Sequence, residues 1–314
     1  MSAPSSAARD VGRWAIVLAG GDGTRLQPLT RLVAGDERPK QFCALLGEST
    51  LLEQTLARAA LAVERRRTLV ALTRTHERFY APLLAGTPRG NLIVQPANRG
   101  TAPAILYALT RVAAAAPLAR VVLLPSDHYV SDDAAFMRHV EAAFDAVTLR
   151  PDLVVLLGIR PDRAETEYGW IEPASHLVGD LWRIGRFQEK PDLATARALL
   201  PRGALWNSFV IVAGVPALLA LGRRVLPALT DAFGALTATT AGPDGLGAVD
   251  RLYRRLAPTG FSETVLASGA PNLAVLAVSG VRWSDWGRPQ RVLSTLQSLG
   301  ASPAWAERAR AELA

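Results

Sequence analysis

A series of short, nearly unbroken apolar runs, each too brief for a helix, most constrains what this chain can fold into. Trp14–Ala19 (WAIVLA), Thr68–Thr73 (TLVALT), Asn91–Gln95 (NLIVQ), Val121–Leu124 (VVLL) and Leu153–Leu157 (LVVLL) read as strands covered on both faces. Between them, Thr50–Val63, Ala102–Ala116 and Asp133–Thr148 carry apolar residues at helical spacing, the last with acidic residues at its start. The alternation predicts an α/β fold, a Rossmann-like mixed, mostly parallel sheet flanked by helices. Ligands of such sheets sit beyond the carboxyl ends of the strands. The loops after Ala19, Gln95 and Leu124 are therefore where chemistry is expected. The second half is more mixed: Leu181–Gln188, Ser208–Ala213 and Asn272–Val278 read as strands and Asp192–Leu200 as a helix. Ala217–Arg255 reads as helical with a break at Gly242–Gly247.

Composition narrows the class. The 314 residues are 49% hydrophobic and 20% charged, an ordinary globular mixture. The single cysteine, Cys43, excludes a disulfide framework and a cysteine zinc site and points to a reducing, cytoplasmic setting. No apolar run reaches the roughly 18 residues of a membrane span, and Met1–Arg13 has no signal-peptide stretch; no membrane partner is expected. A net charge of +7 and a pI of 10.2 raise nucleic acid as a partner. The basic residues are scattered, however, and the densest cluster, Arg65–Arg67, reads as a helix end where cations suit the dipole. No nucleic acid is expected. Of 35 basic residues 33 are Arg, a compositional habit; the exceptions are Lys40 and Lys190.

The strongest local signal is Leu18–Lys40. A buried strand runs through Leu18 and Ala19 into Gly20, Gly21 and Gly23, which let the backbone turn sharply and approach a ligand. Successive N–H groups in such a turn cradle anionic oxygens. Thr24 and Arg25 follow; Arg25 adds a fork of donors and Lys40 a compact charge, both suited to phosphate. The dinucleotide fingerprint fails because Leu26 stands where its third glycine belongs, and Gly23-Thr24-Arg25 is not a Walker loop. Asp127, just past a strand, can hold a hard divalent cation, and Mg²⁺ suits one or two carboxylates plus phosphate oxygens. His128 has no ligand-spaced companions and reads as structural. Thr101 is expected to N-cap the following helix and aim its amides at a ligand.

The spacing Gly-Gly-x-Gly-x-Arg-x-x-Pro-Leu, then Pro-Lys, resembles the sugar-1-phosphate nucleotidyltransferase signature. RPKQF (38–42), QPANRGTAPAI (95–105), LLPSDHYV (123–130), YGWIEP (168–173), EKPD (189–192), WNS (206–208) and WSDWG (283–287) follow in the order seen in mannose-1-phosphate guanylyltransferases. The resemblance covers about residues 13–290. It implies GTP and mannose-1-phosphate as substrates, GDP-mannose and pyrophosphate as products, and direct displacement at the α-phosphate with Mg²⁺. UTP, dTTP or a heptose phosphate, and a silent sugar-nucleotide sensor, stay open as alternatives.

By resemblance, Gln95, Asn98, Gly100 and Thr101 hold the base and ribose, and Asp285 is the second metal carboxylate. Gly169, Glu189, Lys190 and Asn207 hold the sugar phosphate, while Arg25, Lys40, Asp127 and Lys190 carry the charge work of catalysis. The expected organisation is a flexible tail at 1–12 and one domain over 13–314. Within it lie a nucleotide-binding half at about 13–150, a sugar-phosphate half at about 151–290 and C-terminal helices at about 291–314. Whether it forms a homo-oligomer stays open. The chain departs from the pattern in a longer loop at 31–38, in Phe209 where glycine is usual, and in Ser262-Glu263-Thr264 for an Ile-Asp-Tyr context. The loop is expected to alter what lies over the nucleotide and Phe209 to narrow the sugar pocket. With the sequence ending near Ala314, no β-helix or isomerase domain is expected. Arginine at position 40 or 190 is expected to slow turnover with little change in melting temperature.

Overall fold

The computed structural model describes residues 12–239 and 245–313. The tail expected at 1–12 thus lies outside the described residues apart from Gly12, as does much of the helix break expected at Gly242–Gly247. Eleven strands are described: β1 (Arg13–Leu18), β2 (Thr68–Thr73), β3 (Leu92–Gln95), β4 (Arg120–Pro125), β5 (Tyr129–Val130), β6 (Val154–Ile159), β7 (Trp170–Val178), β8 (Leu181–Gln188), β9 (Leu205–Gly214), β10 (Leu273–Val278) and β11 (Trp283–Ser284). Nine form one sheet in the order β3-β2-β1-β4-β9-β6-β10-β8-β7. Parallel pairing joins β3, β2, β1 and β4, and again β6 and β10. Only β8 and β9 run against the rest, so the sheet is mixed but mostly parallel, as expected.

The apolar runs become strands because both faces are covered. Every residue of β2, β6 and β10 is buried. One face packs on the helix Asp133–Leu149 through Phe136, Val140 and Phe144. The other packs on Thr101–Ala115, with Ile105, Leu109 and Val112 fully buried. A third cluster joins Leu26, Leu29, Leu45 and Trp286 to the helices Pro289–Ser298 and Ala306–Leu313.

Some boundaries differ from the sequence reading. The helix expected over Thr50–Val63 spans Leu51–Ala59; it starts at a capping box in which Glu53 N–H donates to the Thr50 hydroxyl and Thr50 N–H to the Glu53 carboxylate. Arg65–Arg67 are not a helix end but a 3-10 turn leading into β2. Thr101 is not the N-cap: Gly100 caps the helix, at φ 85°, and Thr101 is its first residue. The Thr101 hydroxyl instead accepts from Phe261 N–H at 2.8 Å and ties the helix to the later chain. A Cβ on Gly100 would lie 2.3 Å from the Thr259 carbonyl oxygen, so only glycine fits this corner. β7 carries no clear strand signal in the sequence, because only its first residues are buried and Pro173 breaks its pattern.

Candidate active site

A cleft of about 380 Å³ opens at the carboxyl ends of β1, β3 and β4, within the usual range for small-ligand sites. Twelve of the residues singled out from sequence line it: Leu18, Gly20, Gly21, Gln95, Asn98, Gly100, Thr101, Asp127, Gly169, Glu189, Asn207 and Asp285. Ala19, Gly23, Thr24, Arg25, Lys40 and Lys190 are not in its lining.

The glycine turn is held by buried amide and hydroxyl groups. Gln41 Nε2 donates to the carbonyls of Ala19 (3.1 Å) and Gly21 (2.8 Å), and the Thr73 hydroxyl donates to that of Gly20 at 2.8 Å. Ala19 N–H donates to Ala71 O, continuing the β1–β2 ladder. A Cβ on Gly20 would meet Gln95 Nε2 at 2.8 Å, so the backbone sits directly on that amide. Gln95 is fixed in turn, donating to Leu72 O and accepting from the Tyr253 hydroxyl at 3.1 Å. Asn98 donates to Asp22, which also lies 3.2 Å from His76, so the turn is braced across the cleft mouth. Gln41, Thr73 and Asp22 were not marked by the sequence, although Gln41 stands inside the RPKQF segment and Asp22 between the signature glycines.

Asp127 and Asp285 are 158 positions apart by their numbering and meet through a two-stranded ribbon. β5 pairs antiparallel with β11, Tyr129 opposite Ser284 and Val130 opposite Trp283. Asp127 lies just before one strand and Asp285 just after the other, which puts both at the same end. Lys40, only 7% exposed, locks the junction. Its Nζ donates to the carbonyls of Asp285 and Trp286 and lies 3.3 Å from Asp127 Oδ2. Asp285 Oδ1 accepts from the Tyr168 hydroxyl (3.0 Å), Gly287 N–H (2.8 Å) and Arg291 (2.7 Å). Burial pushes the Asp285 carboxyl up, but Lys40, Arg291 and the Gly287 N–H outweigh it and hold it below the usual carboxylate range. Beside Asp127, burial drives His128 down to about 4, so it is neutral, and its ring stands edge-on to Trp283 at 5.1 Å. His128 also lines the cleft, and its buried Nδ1 has no hydrogen-bond partner among the described residues.

The opposite wall is built differently. Glu189 and Lys190 follow β8, and Lys190 takes φ 43°, unusual for a side chain with a Cβ. The Lys190 side chain is 51% exposed and its Nζ lies 3.4 Å from Glu189 Oε1. Burial raises the Glu189 carboxyl despite Lys190 beside it. Gly169 allows close packing: a Cβ there would meet Phe187 at 2.8 Å and Glu189 Oε2 at 2.9 Å. Phe209 does line the cleft, at φ 59°, with its ring edge-on to Phe261. Ser262 lines it too, whereas none of residues 31–38 does. That longer stretch closes on itself through Arg38 and Asp36, with Arg38 over the Phe79 ring. Arg25 stands in an exposed turn, 3.8 Å from Glu167. Among the described residues no group of three or more His, Cys, Asp or Glu could hold a metal.

Known proteins resemble this chain in sequence and in fold. XanB, a xanthan biosynthesis protein of Xanthomonas campestris pv. campestris (strain B100), is 36% identical over 220 residues, 69% of this chain and 45% of that protein. A mannose-1-phosphate guanylyltransferase of Sinorhizobium fredii is 33% identical over 283 residues, 86% of this chain and 52% of its own. The chain spans about half the length of the curated relatives it matches. Among solved structures, a Thermus thermophilus protein named mannose-1-phosphate geranyltransferase superposes with a TM-score of 0.78 at 34% identity, covering 90% of this chain and 79% of that one. UDP-glucose pyrophosphorylase bound to UDP-glucose, at 14% identity and TM-score 0.56 over 92% of this chain and 98% of its own, shares the fold alone. Among the described residues no helix is long and apolar enough to cross a membrane. The profile described as Nucleotidyl transferase matches residues 14–296, and the chain belongs to that family.

Proposed function

We propose that this chain joins a nucleoside triphosphate to a sugar-1-phosphate, with GTP and mannose-1-phosphate as the preferred pair. The observation that carries the reading is the meeting of Asp127 and Asp285 in one cleft, between the glycine turn and the wall formed by Gly169, Glu189 and Asn207. A phosphate oxygen of the sugar phosphate attacks the α-phosphorus. The bond from that phosphorus to the bridging oxygen breaks, and pyrophosphate leaves with the electron pair. Such chemistry needs alignment and charge neutralisation more than a covalent nucleophile. The names of the relatives support the choice of sugar and base.

The donor set fits Mg²⁺. Two carboxylates face one cleft, and among the described residues Asp285 Oδ2 accepts no hydrogen bond, all three donors being on Oδ1. Mg²⁺ favours such sparse protein ligation completed by phosphate oxygens and water. Bound there, it would offset charge on the phosphates as a Lewis acid. The chain's own groups do the rest. The glycine turn offers N–H groups to the triphosphate, Gln95 and Asn98 face the nucleoside, and Lys190 is free to meet the incoming phosphate.

Pyrophosphate release over a grid of nucleoside triphosphates and sugar-1-phosphates, with Mg²⁺ and with chelator, tests this. The highest rate is expected for GTP with mannose-1-phosphate and none with chelator. Faster turnover with UTP or dTTP removes the guanylyl assignment, and no turnover with any pair removes the reaction.

A further inference from the structure

The Asp285 carboxylate takes only part of its orientation from its own loop, through Gly287 N–H at 2.8 Å. Its strongest contact comes from Arg291, in the first turn of the helix Pro289–Ser298, outside every motif that marks the site. The Arg291 side chain is only 12% exposed and bridges three acids. Nη1 donates to Asp285 Oδ1 at 2.7 Å, while Nη2 lies 2.8 Å from both Glu165 Oε1 and Glu167 Oε2. The guanidinium also lies over the Tyr168 ring, 4.5 Å from its centroid, and Tyr168 donates to the same Asp285 oxygen.

This cluster supplies geometry as well as charge. Arg291 acts on the Asp285 carboxyl through its charge, and Glu165 and Glu167, which also pair with Arg163 and Arg288, hold the guanidinium on its far side. The guanidinium fork occupies Oδ1, while Oδ2 accepts no hydrogen bond among the described residues. Lysine could not do this, because a point charge cannot reach Asp285 from one side and two glutamates from the other. Metal ligands are commonly oriented by such outer hydrogen bonds, whose loss costs about 10–100-fold in affinity or activity.

We infer that Arg291 is a positioning residue that fixes the Asp285 carboxylate for a small, geometrically strict cation, with Glu165 and Glu167 holding the fork in place. The inference rests on the reading of Asp285 as a metal carboxylate. Mg²⁺ demands near-ideal octahedral geometry, whereas larger cations tolerate distortion. Losing the fork should therefore weaken Mg²⁺ selectively.

The test uses the full chain with GTP present and Mn²⁺ as the probe, its free fraction read by electron paramagnetic resonance during Mg²⁺ titration. In Arg291→Met, and nearly as much in Arg291→Lys, about tenfold more Mg²⁺ should be needed to displace bound Mn²⁺. The Mg²⁺ concentration for half-maximal pyrophosphate release should rise in parallel. Arg291→Lys keeps the charge and serves if the Met variant does not fold. A lower melting temperature with unchanged displacement and half-saturation would make Arg291 a packing residue and overturn the inference. Asp285→Asn separates the two ideas: if it leaves Mn²⁺ binding intact, the metal reading of Asp285 fails, and the positioning role with it. If it abolishes binding while the Arg291 variants behave as wild type, only the inference fails.

Discussion

The two lysines that look alike in the sequence stand in opposite surroundings, and the contrast extends to the walls that hold them. On the glycine-turn side, Lys40 is buried, with three protein oxygens within 3.3 Å, Gln41 and Thr73 clamp the turn by donating to its carbonyls, and Gln95 packs against Gly20. On the other side, Lys190 is half exposed with one partner at 3.4 Å, and both it and Phe209 take positive φ. One wall is clamped by a buried hydrogen-bonded network; the other carries a half-exposed cation and backbone in the left-handed region. Buried polar networks rigidify when fully satisfied, and strain persists where surroundings enforce it.

The sharpest challenge falls on the aspartates that the first wall positions. Asp127→Asn and Asp285→Asn should each lower turnover by at least about 100-fold, the scale seen when a preorganised electrostatic group is removed. Asp127→Asn takes the one carboxylate within 4 Å of buried Lys40, so its melting temperature should fall, whereas half-exposed Lys190 has no comparable dependence. Near-normal turnover in either variant, measured at saturating substrate, would return that residue to a structural role.

Arginine substitutions then set one wall directly against the other. Both Lys40→Arg and Lys190→Arg should reduce turnover by about tenfold or more, a barrier increase of roughly 1.4 kcal/mol. Sequence alone predicts no change in melting temperature for either. The structure revises this for Lys40: a guanidinium must fit where Nζ already contacts two carbonyls, and overpacking of that kind costs about 1–3 kcal/mol. Lys40→Arg should therefore melt a few degrees lower, while Lys190→Arg should melt as wild type and lose chiefly its use of the sugar phosphate. Equal melting temperatures for the two variants, by calorimetry, would erase the distinction between the walls.

Much of the fold was legible because its strands are short apolar runs between glycines and helices; β2 and β8 fall on their expected spans. The glycine turn was legible for the same reason, a local pattern expressing a local conformation. What was not legible depends on distant pairing. β5 and β11 are two residues each and carry no periodicity, yet they bring Asp127 to Asp285. Arg291, Glu165 and Glu167 form one cluster from two segments of ordinary surface composition, and nothing in either segment announces the other. Thr101 was misassigned for a related reason. A threonine before an apolar helix looks like a cap, but the positive φ of Gly100 moves the helix start and frees the hydroxyl to bond Phe261.

Phe209 gives the smallest effect and the cleanest sign. Its φ of 59° lies in the left-handed region, where a Cβ costs about 1–2 kcal/mol. Removing the ring alone confounds that strain with lost contact to Phe261, so the informative comparison is between two ringless variants. Alanine keeps the Cβ in the strained conformation; glycine does not. At an ordinary position glycine is less stable than alanine by roughly 0.5–1 kcal/mol, because the unfolded chain gains freedom. At a left-handed position the order inverts. Phe209→Gly should therefore be more stable than Phe209→Ala by about 1 kcal/mol, read as the difference in urea unfolding free energy. Both variants should widen the cleft equally, so any shift in preference among sugar phosphates should be the same in the two. If alanine is the more stable, the backbone at 209 relaxes once the ring is gone, and the strain on this wall belongs to the side chain rather than to β9.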